Sequence, residues 1–161
     1  MIRCYYINHR GPNFNQDNKV QNKNLSKDDF FYIKNVKSRW RDMDAIGHIN
    51  NAIYLTYFET VRVDYLHELG FELLKRGNDV GVILASMKID YLIQSLHPNT
   101  FSIGCRITRL GTKSFDLYSA IFDVKNINPV VVGVFTLVMF NYKTQKTIDL
   151  TDNIKNSYNP F

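Results

Sequence analysis

The 161-residue chain is poor in the residues that staple or punctuate a fold: it has two cysteines and four prolines. Cys4 and Cys105 cannot build a disulfide framework, so stability must come from a hydrophobic core. Cys105 falls on the apolar face of an expected strand with Phe101, Ile103 and Ile107, which predicts a buried, reduced, inert thiol and a reducing compartment. There is no apolar run of about 18 residues, so no membrane span is expected. The glycines form no Walker or Rossmann phosphate loop. His48, His67, His97 and the acids show no HExxH or CxxC spacing, and neither a metal nor a cofactor is expected. Charge of one sign is also scarce. The formal net charge is +5, of which residues 1–29 carry +2 and the rest +3. So small and scattered an excess argues against nucleic acid and suits, at most, a small anionic ligand.

What the chain does have is aromatic bulk, 14% of its residues, and enough length for one domain with a well-filled core or a pocket. Residues 1–28 read as a disordered N-terminal extension, because Asn, Gln, Gly and charged residues dominate from Asn8 to Asn24 without a stable period. Met1 to Ile7 is too short and polar for a secretory signal. A cytoplasmic location is expected, with an organelle presequence as the alternative because acids are missing up to Asp17.

The domain proper spans 29–161. Phe30 to Trp40 suits a strand with mixed faces. A helix is expected from Asn51 to Leu69, with Tyr54, Tyr57, Phe58, Val61, Tyr65, Leu66 and Leu69 at helical spacing and Gly70 as its stop. Phe71 to Lys75 suits one further turn. Four strands are then expected: Val80 to Ile93, Phe101 to Arg109, Ser114 to Val124 and Val130 to Tyr142. In the first, Ile83, Ala85, Met87, Ile89, Tyr91 and Ile93 share one face. The last is apolar on both faces, so Val130, Val132, Val134, Val138 and Phe140 need a second layer, part of which a further subunit would supply. A short helix from Asp149 to Ser157, capped by Thr151 or Asp152, closes the chain. One long helix against a curved antiparallel sheet of about five strands is an α+β arrangement.

The chemistry concentrates in the run from Arg41 to Asn51, which carries Asp42, Asp44, Gly47, His48 and two amides straight into the aromatic helix. A helix start offers unsatisfied N–H groups and a partial positive charge, so it attracts a developing negative charge. A carboxylate beside it is an apparatus for acyl transfer. A thioester carbonyl needs a nucleophile or activated water, and a donor for the oxyanion.

The segment Trp40 to Tyr54, with Phe58-Glu59, resembles the start of a hotdog-fold acyl-CoA thioesterase, and specifically the 4-hydroxybenzoyl-CoA thioesterase family. Ile89-Asp90-Tyr91 and Arg109 to Ser114 add weaker matches, and the likeness covers roughly Phe30 to Lys155. It implies a hotdog fold, hydrolysis of an acyl-CoA to free acid and CoA, and a homodimer or homotetramer. Carried onto this chain, the second acid of the turn is Asp44, and the amide that polarises the carbonyl lies at Asn51. Whether Asp44 attacks directly or activates water stays open.

Read as residues, Asp44 is also a good turn or capping residue, and Asn50 and Asn51 are good caps. Gly47 permits the turn or a close approach of substrate. His48 either bonds to Asp44 or Glu59, touches the thioester, or fixes the turn through a backbone bond. Glu59 is a second acid facing the pocket, as in another branch of the fold, or the partner of Arg62 three residues on. Tyr54, Tyr57 and Phe58 are core, or line an acyl pocket. Arg106, Arg109 and Lys113 are solvated strand ends, or hold the phosphates of coenzyme A. The alternatives to an acyl-CoA thioesterase are an acyl carrier protein thioesterase and a non-catalytic acyl-binding subunit. An enoyl-CoA hydratase on the same fold carries an Asp-x-Asn-Pro-x-His run, which is missing here.

Overall fold

The computed structural model describes residues 25–71 and 79–161. The expected turn after Phe71 lies outside them, as does all of the expected N-terminal extension except its last four residues. Leu25, one of those four, is buried.

Helix α1, Asn51–Glu68, is the centre of the molecule. Eighteen residues give a rod of about 27 Å. Tyr54, Tyr57, Phe58, Val61, Tyr65 and Leu66 are buried at the spacing the sequence predicts. The helix stops at Gly70, whose φ of +86° suits glycine. The Gly70 N–H donates to His67 O and the Phe71 N–H to Leu66 O, which satisfies carbonyls the last turn would leave bare.

Around α1 curls an antiparallel sheet in the order β1-β3-β4-β5-β2, built from β1 (Tyr32–Lys37), β2 (Val80–Tyr91), β3 (Thr100–Leu110), β4 (Ser114–Phe122) and β5 (Val131–Asn141). This is the hotdog arrangement that the resemblance implies. Phe101, Ile103, Cys105 and Ile107 of β3, with Phe115 and Leu117 of β4 and Phe135 and Leu137 of β5, face the helix in one core. Cys105 is buried there, and burial pushes its thiol up to about 12. Among the described residues no helix is long and apolar enough to cross a membrane.

Four details add to or correct what the sequence predicts. β2 is not beside β3; it pairs with β5 at the far edge, and the connection from Leu92 to Asn99 crosses the end of the sheet. β2 also carries an irregularity between Leu84 and Ser86. Strand faces alternate with period two, so one extra residue at Ala85 reverses the parity. Leu84 pairs with Leu137 and Met87 with Phe135, which puts both on the helix side, while Ile83 pairs with Val138 on the outer side. Ile83 therefore does not share a face with Met87, Ile89 and Tyr91. A two-residue strand, β6 (Lys146–Thr147), pairs with the end of β5 and is too short to leave a period in sequence. Helix α2 is confined to Asp152–Asn156; Thr151 occupies its N-cap position without a side-chain cap bond.

The second layer needed over the outer face of the sheet comes in part from the chain itself. Leu25 and Phe30 pack with Tyr118, Ala120, Phe122 and Val132 in a separate cluster. Phe161 adds an edge-on ring to Phe30 and Tyr118. Gly104 makes this possible, because any Cβ there would overlap the Phe30 ring. Val130, expected on the outer face, turns into the helix-side core instead.

Candidate active site

The site is built on the segment between β1 and α1. A 3-10 turn over Trp40–Asp42 leads into it. Met43 and Ile49 form an antiparallel bridge, and the Asp44 N–H donates to His48 O at 2.7 Å. The Gly47 N–H donates back to Asp44 O at 3.1 Å, with Gly47 at φ +83°. That φ explains why this tight turn holds a glycine.

Asp44 is half-buried at the stem of this turn. Its Oδ1 accepts the N–H groups of Ile46 at 3.0 Å and His48 at 3.1 Å. Its Oδ2 has no donor among the described residues. One oxygen therefore holds the turn and the other is available, so the structural and chemical roles of this residue coexist.

At the helix start, Asn50 is the N-cap, with φ −60° and ψ 136°. The Ala52 N–H donates to Asn50 Oδ1 at 2.9 Å and to Asn51 Oδ1 at 3.0 Å, so both asparagines act as caps. The Asn51 N–H has no acceptor among the described residues. Its carbonyl accepts the Tyr91 hydroxyl at 3.0 Å, and the Ile49 N–H is taken by Ser95 O at 2.9 Å. The crossover after β2 thus braces the helix start.

The other acid of the turn region behaves differently. Asp42 is fully buried at 0% exposure. Its Oδ2 accepts the Tyr57 hydroxyl at 2.6 Å and the Arg39 N–H at 2.7 Å, and its Oδ1 accepts Arg39 Nε at 3.1 Å. Burial alone would raise its pKa, but the hydrogen bonds from Tyr57 and Arg39 and the charge of Arg39 outweigh it and hold the carboxyl below its ordinary value. The Tyr57 hydroxyl is pushed up in turn, by burial first and then by Asp42. Every oxygen of Asp42 is committed, so among the two aspartates only Asp44 has an open oxygen.

The backbone N–H of His48 bonds to Asp44, while its imidazole meets neither Asp44 nor Glu59 in any hydrogen bond. Glu59 stands two turns along α1 with its side chain 66% exposed and Arg62 at 3.8 Å. Phe58 is fully buried against the Phe135 ring, 5.2 Å between centroids. Tyr54 is buried among the rings of Tyr57, Tyr91 and Phe101, with its hydroxyl near Ser95 and without a hydrogen-bond partner among the described residues.

Arg109 is held by Asp116 in a two-point pair at 2.6 and 2.8 Å, while among the described residues Lys113 Nζ reaches only Thr147 O, at 3.4 Å. Arg106 donates to the carbonyls of Asp29, Asn159 and Pro160. Phe101 packs on Tyr54 near the helix start, whereas Arg109 lies about 25 Å further along β3 at some 3.3 Å per residue. The fold therefore does not bring Arg109 and Lys113 to the Asp44 turn within one chain. A cavity of about 470 Å³ is also elsewhere, between Tyr32, Tyr65, Leu69, Arg106 and Asn159 at the other end of α1. Of the residues that brace the site, Tyr57 is marked in the sequence by its helical spacing and Tyr91 by its strand position, whereas Ser95, in the connection after β2, carries no sequence signal.

A family model described as the thioesterase-like superfamily matches residues 38–157. The chain is 26% identical to an uncharacterised Bacillus subtilis protein, YsmA, over 80% of this chain and 86% of that one. It is 24% identical to the Escherichia coli long-chain acyl-CoA thioesterase FadM, over 74% of this chain and 91% of that one. A solved Thermus thermophilus thioesterase, complexed with coenzyme A and zinc, superposes with a TM-score of 0.68 at 27% identity, covering 80% of this chain and 97% of its own.

Proposed function

The chain belongs to the thioesterase-like superfamily, and from that premise we propose that it hydrolyses acyl-CoA thioesters with Asp44 as the reacting carboxylate and the Asn51 N–H as the oxyanion donor. The observation that carries this reading is an open carboxylate oxygen on Asp44, in the turn that leads into α1, beside a helix start whose Asn51 N–H has no acceptor among the described residues. A carbonyl oxygen bound at Asn51 sits at the positive end of α1, where charge developing on it is stabilised. Asp44 then acts in one of two ways. Its oxygen bonds to the carbonyl carbon, the C–S bond breaks to release CoA, and water cleaves the resulting anhydride. Alternatively, it takes a proton from water as the water oxygen bonds to the carbonyl carbon; the C–S bond then breaks and the departing thiolate takes up that proton. Both routes end in a free acid and a thiol. Coenzyme A as the carrier is supported by the Thermus relative, which binds it, and by FadM, which acts on long-chain acyl-CoA.

The test is a panel of short, long and aromatic acyl-CoAs with one carrier-protein thioester, read by thiol release. Turnover of at least one CoA ester is expected. Release only from the carrier protein would move the substrate class, and release from none would leave an acyl-binding subunit.

We further propose that the working form is at least a homodimer. β2 is a twelve-residue edge strand, and Leu84, Met87, Tyr91, Leu92, Ile93 and Leu96 around it are exposed. A long apolar edge with free backbone groups is a template for pairing with another strand. Light scattering is expected to give at least twice the chain mass; a monomer at micromolar concentration would contradict it.

A further inference from the structure

We infer that Asp42 and Tyr57 are positioning residues for this reaction, fixing where the Asn51 N–H stands relative to the Asp44 carboxylate; this rests on the reading of the site given above. The geometry forms a closed circuit. Tyr57 rides on the second turn of α1, and its hydroxyl donates to Asp42 Oδ2 at 2.6 Å. The Asp42 main-chain carbonyl accepts the N–H of Asn50, the cap of the same helix, at 2.9 Å. The Arg39 N–H donates to the same Oδ2 at 2.7 Å, and Arg39 Nε closes the other side of the carboxylate by donating to Oδ1 at 3.1 Å. Both ends of the 42–50 segment are thereby tied to the helix they precede. Asp44 hangs on one arm of that segment and Asn51 follows directly on the other.

The burial pattern supports a role in precision. A carboxylate at 0% exposure is retained next to a helix lined with aromatic residues, where an apolar side chain would pack at no desolvation cost. What the carboxylate adds is direction, since each bond fixes an angle as well as a distance. The Tyr57 ring is itself held, 5.6 Å from the Phe101 ring and 6.2 Å from Tyr54, so its hydroxyl cannot wander. Asp42 and Tyr57 touch no reacting atom in this scheme. They act through Asn50 and the turn, and a misplacement of about 1 Å in such a shell is enough to cost on the order of a hundredfold in rate.

The experiment compares wild type, Tyr57→Phe, Asp42→Asn and Ile154→Val on one thioester, at a temperature where each is folded. Ile154 is the buried residue of α2, which is bonded through Asn153 to Leu69 at the far end of α1 from the turn, and it controls for lost stability. Tyr57→Phe is expected to lower kcat about tenfold, and Asp42→Asn by more, with KM within about twofold of wild type. Ile154→Val keeps its kcat. Independently of turnover, amide exchange at Asn50 is expected to quicken about tenfold in Tyr57→Phe, while β4 amides are unchanged. Wild-type kcat and wild-type Asn50 exchange in Tyr57→Phe would overturn the proposal, as would a change confined to KM. If Asp44→Asn keeps the wild-type rate, the reading of the site fails instead, and the Asn50 exchange still decides whether Tyr57 and Asp42 hold the turn.

Discussion

Asn51→Pro is expected to give a folded protein that turns over thioesters about a hundredfold or more slowly, because it deletes one backbone donor and little else. Position 51 is the first residue of α1, where proline is well accepted: its ring sets a helical φ, and its missing N–H is one the helix does not use. The preceding residue must be extended, and Asn50 already is, with ψ 136°. The Asn51 carbonyl, held by Tyr91, survives the change. The lost Asn51 Oδ1 cap is duplicated by Asn50, which also accepts from Ala52. Stability should therefore move by no more than about 0.5 kcal/mol. Loss of an oxyanion donor, in contrast, costs about 3 kcal/mol of transition-state stabilisation. A thermal melt beside a kcat measurement separates the two, and an unchanged kcat in the folded variant would remove Asn51 from the mechanism.

Asp44→Asn is expected to have an equal or larger effect, a fall in kcat of about a thousandfold. Asparagine keeps the oxygen that accepts the Ile46 and His48 N–H groups, so the turn persists. It replaces the open Oδ2 with an amide nitrogen that neither attacks a carbonyl nor takes a proton from water. Melting should stay close to wild type, which makes this variant a sharper probe than alanine, since alanine would also release two turn bonds. Wild-type activity in Asp44→Asn would show that Asp44 serves the turn alone.

The sequence and the structure agree where one physical rule governs. The stripe from Tyr54 to Leu66 has one period and ends at Gly70, and α1 follows it. The apolar alternation of β3 places Cys105 in the core as expected. Capping residues at Asn50 and Asn51 could be read because a cap is a local contact. What escaped the sequence depends on residues far apart in it. The irregularity at Ala85 is set by pairing with β5, and no periodicity in β2 alone announces it. Asp42 and Tyr57 stand fifteen residues apart, so nothing local marks their bond or separates a buried acid from the open one two residues later. Arg109 reads as a free cation until β4 sets Asp116 opposite it. The outer cover contributed by Phe30 and Phe161 joins the two ends of the domain across Tyr118, a contact that only the folded chain creates.

The assignment of the two aspartates is the centre of this mechanism, and single-turnover thiol release tests it most directly. Wild type, Asp44→Asn and Asp42→Asn would be compared on the fastest acyl-CoA, all at the same folded fraction. The expected order is wild type fastest, Asp42→Asn intermediate and Asp44→Asn slowest, by about three orders of magnitude below wild type. Thiol release at the wild-type rate from Asp44→Asn, or a slower rate from Asp42→Asn than from Asp44→Asn, would contradict it.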